Sequence, residues 1–107
     1  MDTFTALADP TRRQIIEALA HAETAFGDLA DRFDMSRPAV SQHLKVLRDA
    51  GIVTARAEAQ RRIYRLSDDG FDELDAWLGK VRKYWNARLD KLEELLAEAD
   101  KKENSNE

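Results

Sequence analysis

Residues 36–51 read SRPAVSQHLKVLRDAG, and the fold turns on them. Ser36 is a helix-capping residue type, and Arg37 with Pro38 fits the first turn behind it. Val40, Leu44 and Leu47 recur at helical spacing as one apolar stripe. Gly51 supplies a left-handed stop. At ~100° per residue, Pro38, Ser41, Gln42, Lys45 and Asp49 fall opposite or beside that stripe. Arg37 stands near the helix start, where its long side chain can sweep forward. Arg37, Ser41 and Gln42 are therefore candidates to reach base edges. Arginine matches guanine O6/N7 and glutamine matches adenine N6/N7 in a major groove. Lys45 and Arg48 suit phosphates, as does the helix start at Ser36, Arg37 and Pro38. The bland alternative is an ordinary solvated helix face.

The period changes after Gly51. Ile52–Ala57 and Arg62–Leu66 are rich in β-branched or apolar residues, with Glu58–Arg61 between them. This predicts a two-stranded hairpin with Tyr64 and Leu66 on one face and Ile63 and Arg65 on the other. Arg56, Arg61, Arg62 and Arg65 put four cations on it, and Gln60 sits at its tip. Such a hairpin suits a DNA backbone or minor groove. Charged residues that block strand addition explain one or two of the four equally well.

On the other side, Asp34-Met35 makes a short connection. Before it, Phe26, Leu29, Ala30 and Phe33 recur at helical spacing, with Thr24 as the expected cap. Asp9-Pro10 signals a further helix start, followed by Ile15, Ile16, Leu19 and Ala20. Met1–Ala8 is read as a short first helix with Phe4, Leu7 and Ala8 on one side. Downstream, Ser67 is the expected cap of a long last helix. Its apolar positions run Phe71, Leu74, Leu78, Val81, Trp85, Leu92, Leu95 and Ala99, with Leu89 beside the one gap. A helix of ~30 residues reaches ~45 Å, more than a core this size covers. Part of the stripe, including Trp77, Tyr84 or Trp85, thus calls for a partner surface.

The predicted architecture is mainly α with a β-hairpin wing. Helices over 25–33 and 36–50 form a helix-turn-helix, and the hairpin makes it winged. Residues 1–100 read as that domain with its long last helix, and residues 101–107 as a polar, disordered tail.

Charge agrees with this layout once its position is considered. The chain has 107 residues and a formal net charge of −4. Residues 1–35 balance at −4, residues 36–66 at +5 and residues 67–107 at −5. A basic middle between acidic flanks suggests a polyanion-binding face on an otherwise acidic body. There is no cysteine, which excludes disulfides, thiolate metal sites, cysteine nucleophiles and thiol switches. No apolar run approaches a membrane span, and the start lacks signal-peptide regions. A soluble, cytoplasmic protein is the expectation.

Catalysis lacks a constellation. Ser41 and His43 lie two residues apart on a helix, ~200° around the axis, and do not face each other. His43 is expected beside Leu44 and Leu47, or bonded to a backbone group. No glycine-rich phosphate loop or metal-ligand spacing occurs. Two rivals stay open: a winged-helix module that binds other proteins, and a regulator with a small-molecule pocket near Trp77, Tyr84 and Trp85.

Three stretches, LADPTRRQIIEAL, SRPAVSQHLKVLRDAGIV and RRIYRLSDDG, resemble the ArsR family of bacterial winged-helix repressors over about residues 4–75. The ending from Trp85 to Leu96 looks like a metal-independent branch. The resemblance implies a homodimer joined by its first and last helices, here Phe4, Leu7, Leu78, Val81, Trp85, Leu89 and Leu92. It implies a palindromic operator in double-stranded DNA, often upstream of the regulator's own gene, with Ser36–Lys45 in the major groove and the 58–62 wing over the backbone. Where metal-sensing members carry cysteine ligands, this chain has Ala25, Phe26 and Gly27. Asp72, Asp75, Asp90 and Glu93 lie in the last helix, but no histidine accompanies them, and transition metals favour imidazole or thiolate. No metal or other cofactor is expected. The wing also lacks the family's common glycine, with Glu58-Ala59-Gln60 in its place.

Overall fold

A computed structural model describes the backbone of residues 2–105. Its elements are α1 (Thr3–Leu7), α2 (Pro10–His21), β1 (Thr24–Ala25), α3 (Phe26–Ala30), α4 (Arg37–Asp49), β2 (Val53–Glu58), β3 (Arg61–Leu66) and α5 (Asp72–Ser105). Chain packing divides them into two units, Met1–Leu74 and Asp75–Glu107.

Side-chain caps set the starts of α1, α2 and α4. Asp2 accepts from the Thr5 amide at 2.7 Å, Asp9 from Arg12 at 3.1 Å and Ser36 from Ala39 at 3.2 Å. Each satisfies a backbone donor with no partner inside its helix. The Arg12 amide holds the Asp9 carboxyl below the usual carboxylate range. Pro10 and Pro38 occupy the first turns of α2 and α4. Gly51 follows α4 with φ +79°, the left-handed stop expected there.

The core is the sum of the apolar stripes. Ile15 and Leu19 of α2, Leu29 of α3 and Val40, Leu44 and Leu47 of α4 are buried together with Ile52, Val53 and Tyr64. Ala20, read into the α2 stripe, is exposed, and Ala18 is half-buried instead. Arg12 ties three helices. Its Nε donates to the Ala6 carbonyl at 2.7 Å and one terminal nitrogen to Thr5 at 3.2 Å, closing the end of α1. Its other terminal nitrogen lies 3.4 Å from His43 Nδ1 on α4. A guanidinium only donates, so Nδ1 accepts. His43, expected beside Leu44 and Leu47 or bonded to a backbone group, thus has a side-chain partner on α2.

The segment around β1 departs from expectation. Thr24 does not cap α3: it belongs to β1, and its hydroxyl donates to the Ala22 carbonyl at 2.9 Å. Ala25 is the cap residue, with no side-chain bond. β1 pairs antiparallel with β3, so the wing is a three-stranded sheet in the order β1-β3-β2. That pairing outweighs the local capping preference of a threonine. α3 also ends at Ala30, leaving Phe33 in the following turn but still packed on the core.

Ser67 does not cap α5. Its hydroxyl donates to Asp69 at 2.8 Å, and its amide to Ile52 at 2.8 Å. A turn over 68–71 intervenes, and α5 starts at Asp72. Gly70 makes the turn possible, since a Cβ there would lie 2.9 Å from the Ile52 Cα. At the far end α5 runs through Ser105, past the point set for a disordered tail; residues 106–107 lie outside the described ones.

The hairpin is tighter than the sequence suggests. Glu58 pairs with Arg61, leaving only Ala59 and Gln60 as the turn. Ala59 takes φ +57°, where glycine would be at ease. Ile63 and Tyr64 are both buried although they point to opposite faces of the sheet; Tyr64 joins the core cluster, whereas Ile63 lies beside Arg56 and Arg65.

Candidate nucleic-acid interface

Every residue assigned to the basic face is exposed: Ser36, Arg37, Pro38, Ser41, Gln42, Lys45 and Arg48 on or before α4, and Arg56, Gln60, Arg61 and Arg62 on the wing. The α4 stripe explains why. With Val40, Leu44 and Leu47 fully buried, the opposite side must face water. The Ser36 hydroxyl oxygen accepts from the Ala39 amide, which fixes the helix start.

The two basic elements converge. Arg37 and Ser41 of α4 and Gln60, Arg61 and Arg62 of the wing line one cleft of about 440 Å³. Ala25, Phe26, Gly27 and Asp28 around the start of α3, and Tyr64, complete its lining. The Arg62 guanidinium lies 5.9 Å from the Tyr64 ring centroid, which holds that cation against an aromatic face. The Tyr64 ring sits 6.4 Å from that of Phe26. Gln42, Lys45 and Arg48 lie farther along α4, outside the cleft lining.

Three of the arginines already have carboxylate partners. Arg37 lies 3.4 Å from Asp31, and Arg61 lies 3.1 Å from Asp28. Arg56 holds Glu23 through two bonds, at 2.9 and 2.6 Å, and reaches Glu58 at 3.2 Å. The Arg56 hydrogen bond pulls the Glu23 carboxyl below its ordinary range, and Glu23 in turn raises the arginine's pKa. Arg56 is thus the most firmly engaged of the three. These carboxylates were not singled out from sequence, although an acidic segment before a basic one was the available signal.

Comparison with known proteins decides the family. The family model described as "Bacterial regulatory protein, arsR family" matches residues 9–55. The HTH-type transcriptional regulator Rv2034 of Mycobacterium tuberculosis is 46% identical over 86 residues, covering 80% of this chain and 78% of that protein. The chain belongs to the ArsR family. This ArsR-family regulator is also 31% identical over 77 residues to the transcriptional repressor SdpR of Bacillus subtilis, covering 72% of this chain and 86% of the other. Among solved structures it superposes on the ArsR family transcriptional regulator RHA00566 with a TM-score of 0.70 at 31% identity, covering 78% and 86% of the two chains. The winged-helix architecture and a role in transcription regulation follow from membership, and its members bind DNA and typically act as dimers. The matched relatives are regulators and not enzymes. No described helix is long and apolar enough to cross a membrane.

The remaining site residues lie on α5 and on α1. On α5, Leu78, Trp85, Leu89 and Leu92 are exposed and Val81 is half-buried. Trp85, Leu89, Leu92 and Leu95 line an apolar groove flanked by Arg88 and Lys91. Tyr84 and Trp85 stand edge to face with centroids 5.8 Å apart, and Arg88 donates to the Tyr84 hydroxyl at 2.9 Å. On α1, Phe4 is exposed, whereas Leu7 turns partly into the core and offers less surface than its helix position suggests.

Proposed function

We propose that this protein is a repressor that binds a palindromic operator as a homodimer, in the cytoplasm. The carrying observation is the cleft in which Arg37 and Ser41 of α4 face Gln60, Arg61 and Arg62 of the wing. A recognition helix set in a major groove would bring such a wing against the adjoining backbone. In this reading Arg37, Ser41 and Gln42 contact base edges, while Lys45, Arg48, Arg61 and Arg62 contact phosphates. The helix start at Ser36, Arg37 and Pro38 adds amide donors for a phosphate. Arg56 is a further phosphate contact on the wing, held by Glu23 in the free chain.

The partner copy covers apolar surface that a lone chain leaves in water. Trp85, Leu89 and Leu92 are each more than half exposed on α5. Contiguous apolar surface of this kind marks an interaction site. Leu78 and Val81 extend that face, and Phe4 with the exposed part of Leu7 is the contribution proposed for α1. A twofold dimer would present two recognition helices ~34 Å apart to successive major grooves. Gel shift of the duplex upstream of its own gene, across a salt series, tests the reading. A retarded complex that weakens steeply with salt is expected. Absence of binding to any duplex at low salt would overturn it.

A further inference from the structure

The DNA-facing arginines are not idle in the free protein. Arg37, Arg61 and Arg56 each hold a carboxylate, from Asp31, Asp28 and Glu23 respectively. All three acids come from one short stretch, 23–31, that precedes the recognition helix, and each meets an arginine of the basic segment. We infer that Asp31, Asp28 and Glu23 are internal competitors for phosphate, which weaken the protein's grip on arbitrary duplex DNA and so sharpen its choice of operator. The inference rests on the DNA-binding reading above.

Stability does not account for these pairs. Their side chains are well exposed, between 46% and 71%, and exposed ion pairs contribute little to folding. Asp31 is the plainest case. It caps the C-terminal end of α3, where the helix dipole disfavours a negative charge. A residue chosen for the helix would be neutral or basic there.

The same weakness makes the pairs displaceable. A carboxylate and a phosphate oxygen compete for one guanidinium through similar charge-assisted bonds. Non-specific binding rests almost wholly on phosphate contacts, so arginines held by carboxylates subtract directly from it. Arg37 adds discrimination. On an operator it can exchange Asp31 for a guanine edge, a bidentate contact. On other sequences no such edge is offered, and Arg37 keeps Asp31 in preference to an arbitrary phosphate. Without Asp31, the freed guanidinium takes that phosphate.

The test compares the full-length protein with Asp31→Asn, the combined Glu23→Gln, Asp28→Asn and Asp31→Asn variant, and Glu98→Gln on α5 as a charge-removing control. Binding is measured to a mixed-sequence duplex and to the duplex upstream of the protein's own gene, at low and high salt. The combined variant should bind the mixed-sequence duplex about tenfold tighter at low salt, with the gain shrinking as salt screens it. Asp31→Asn alone should tighten mixed-sequence binding more than binding to the upstream duplex. Asp31→Glu, which keeps the charge, should restore the wild-type ratio. Equal affinities for wild type and the combined variant would overturn the inference while leaving DNA binding intact. An equal gain from Glu98→Gln would also overturn it, by tracing the effect to net charge. Failure of every form, wild type included, to bind either duplex would remove the DNA reading itself and the inference with it.

Discussion

Two helices of this molecule carry apolar stripes at the same spacing and meet opposite fates. On α4, Val40, Leu44 and Leu47 are 0% exposed. On α5, Trp85, Leu89, Leu92 and Leu95 are 50–56% exposed. The first stripe is consumed by the chain's own core. The second has no such outlet, and the difference is set by what surrounds each helix. α4 lies between α2 and β2 and is short enough to be covered over its whole length. α5 has 34 residues, about 50 Å of helix, and outruns any core the chain can build. A stripe shows that a helix has a face to bury. Helix length against core size shows whether the burial is internal.

Substitutions should separate the two faces, and the largest effect is expected in the core. Leu44→Ala should cost about 2–5 kcal/mol of stability, read by thermal or denaturant unfolding, because it opens a cavity in a fully buried site. If it costs no more than an exposed leucine does, α4 is not the core helix described. Leu92→Asp should leave the fold of residues 2–74 intact and turn a dimer into a monomer in sedimentation at micromolar concentration. A wild-type chain that sediments as a monomer would refute the partner-covered face.

On the polar side of α4 the expected effects are smaller and of a different kind. Arg37→Ala should cost about 1–3 kcal/mol of operator binding and relax the base preference at one position. Arg62→Ala should weaken all sequences alike and lower the salt slope by about one. Equal losses of base preference from both would erase the division between reading helix and gripping wing. Ser36→Ala should cost about 1 kcal/mol of stability through loss of the cap on Ala39.

The smallest effect is linked to pH. The Arg12 amide holds Asp9 below its ordinary value of 3.8, so the folded state favours the ionised carboxylate. Its contribution is full above the unfolded-state pKa of about 3.9 and is lost as pH falls through the lower folded value. The stability difference between wild type and Asp9→Ala should therefore be constant near neutrality and shrink below about pH 4, as followed by unfolding midpoints.

Much of this was readable from residues whose signals are local. Asp9-Pro10, Ser36-Arg37-Pro38 and Gly51 fix helix ends through chemistry within a few positions. The alternation after Gly51 and the cations upon it marked the wing. What escaped depended on distant partners. Thr24 looks like a cap until β3 comes alongside and recruits it into a sheet. Ser67 looks like a cap until Gly70, where a Cβ would lie 2.9 Å from the Ile52 Cα, lets the chain turn against Ile52. The carboxylates on Arg37, Arg56 and Arg61 were visible only as an acidic segment beside a basic one, since their pairing is a matter of side-chain placement. The contact of His43 with Arg12 of α2 was likewise out of reach of a local reading.

The most direct measurement is a hydroxyl-radical footprint of the protein on the duplex upstream of its own gene. The account predicts two symmetric protected patches, centred about one helical turn or a whole number of turns apart, one for each recognition helix of a dimer. A single patch, or protection with no twofold symmetry, would contradict it.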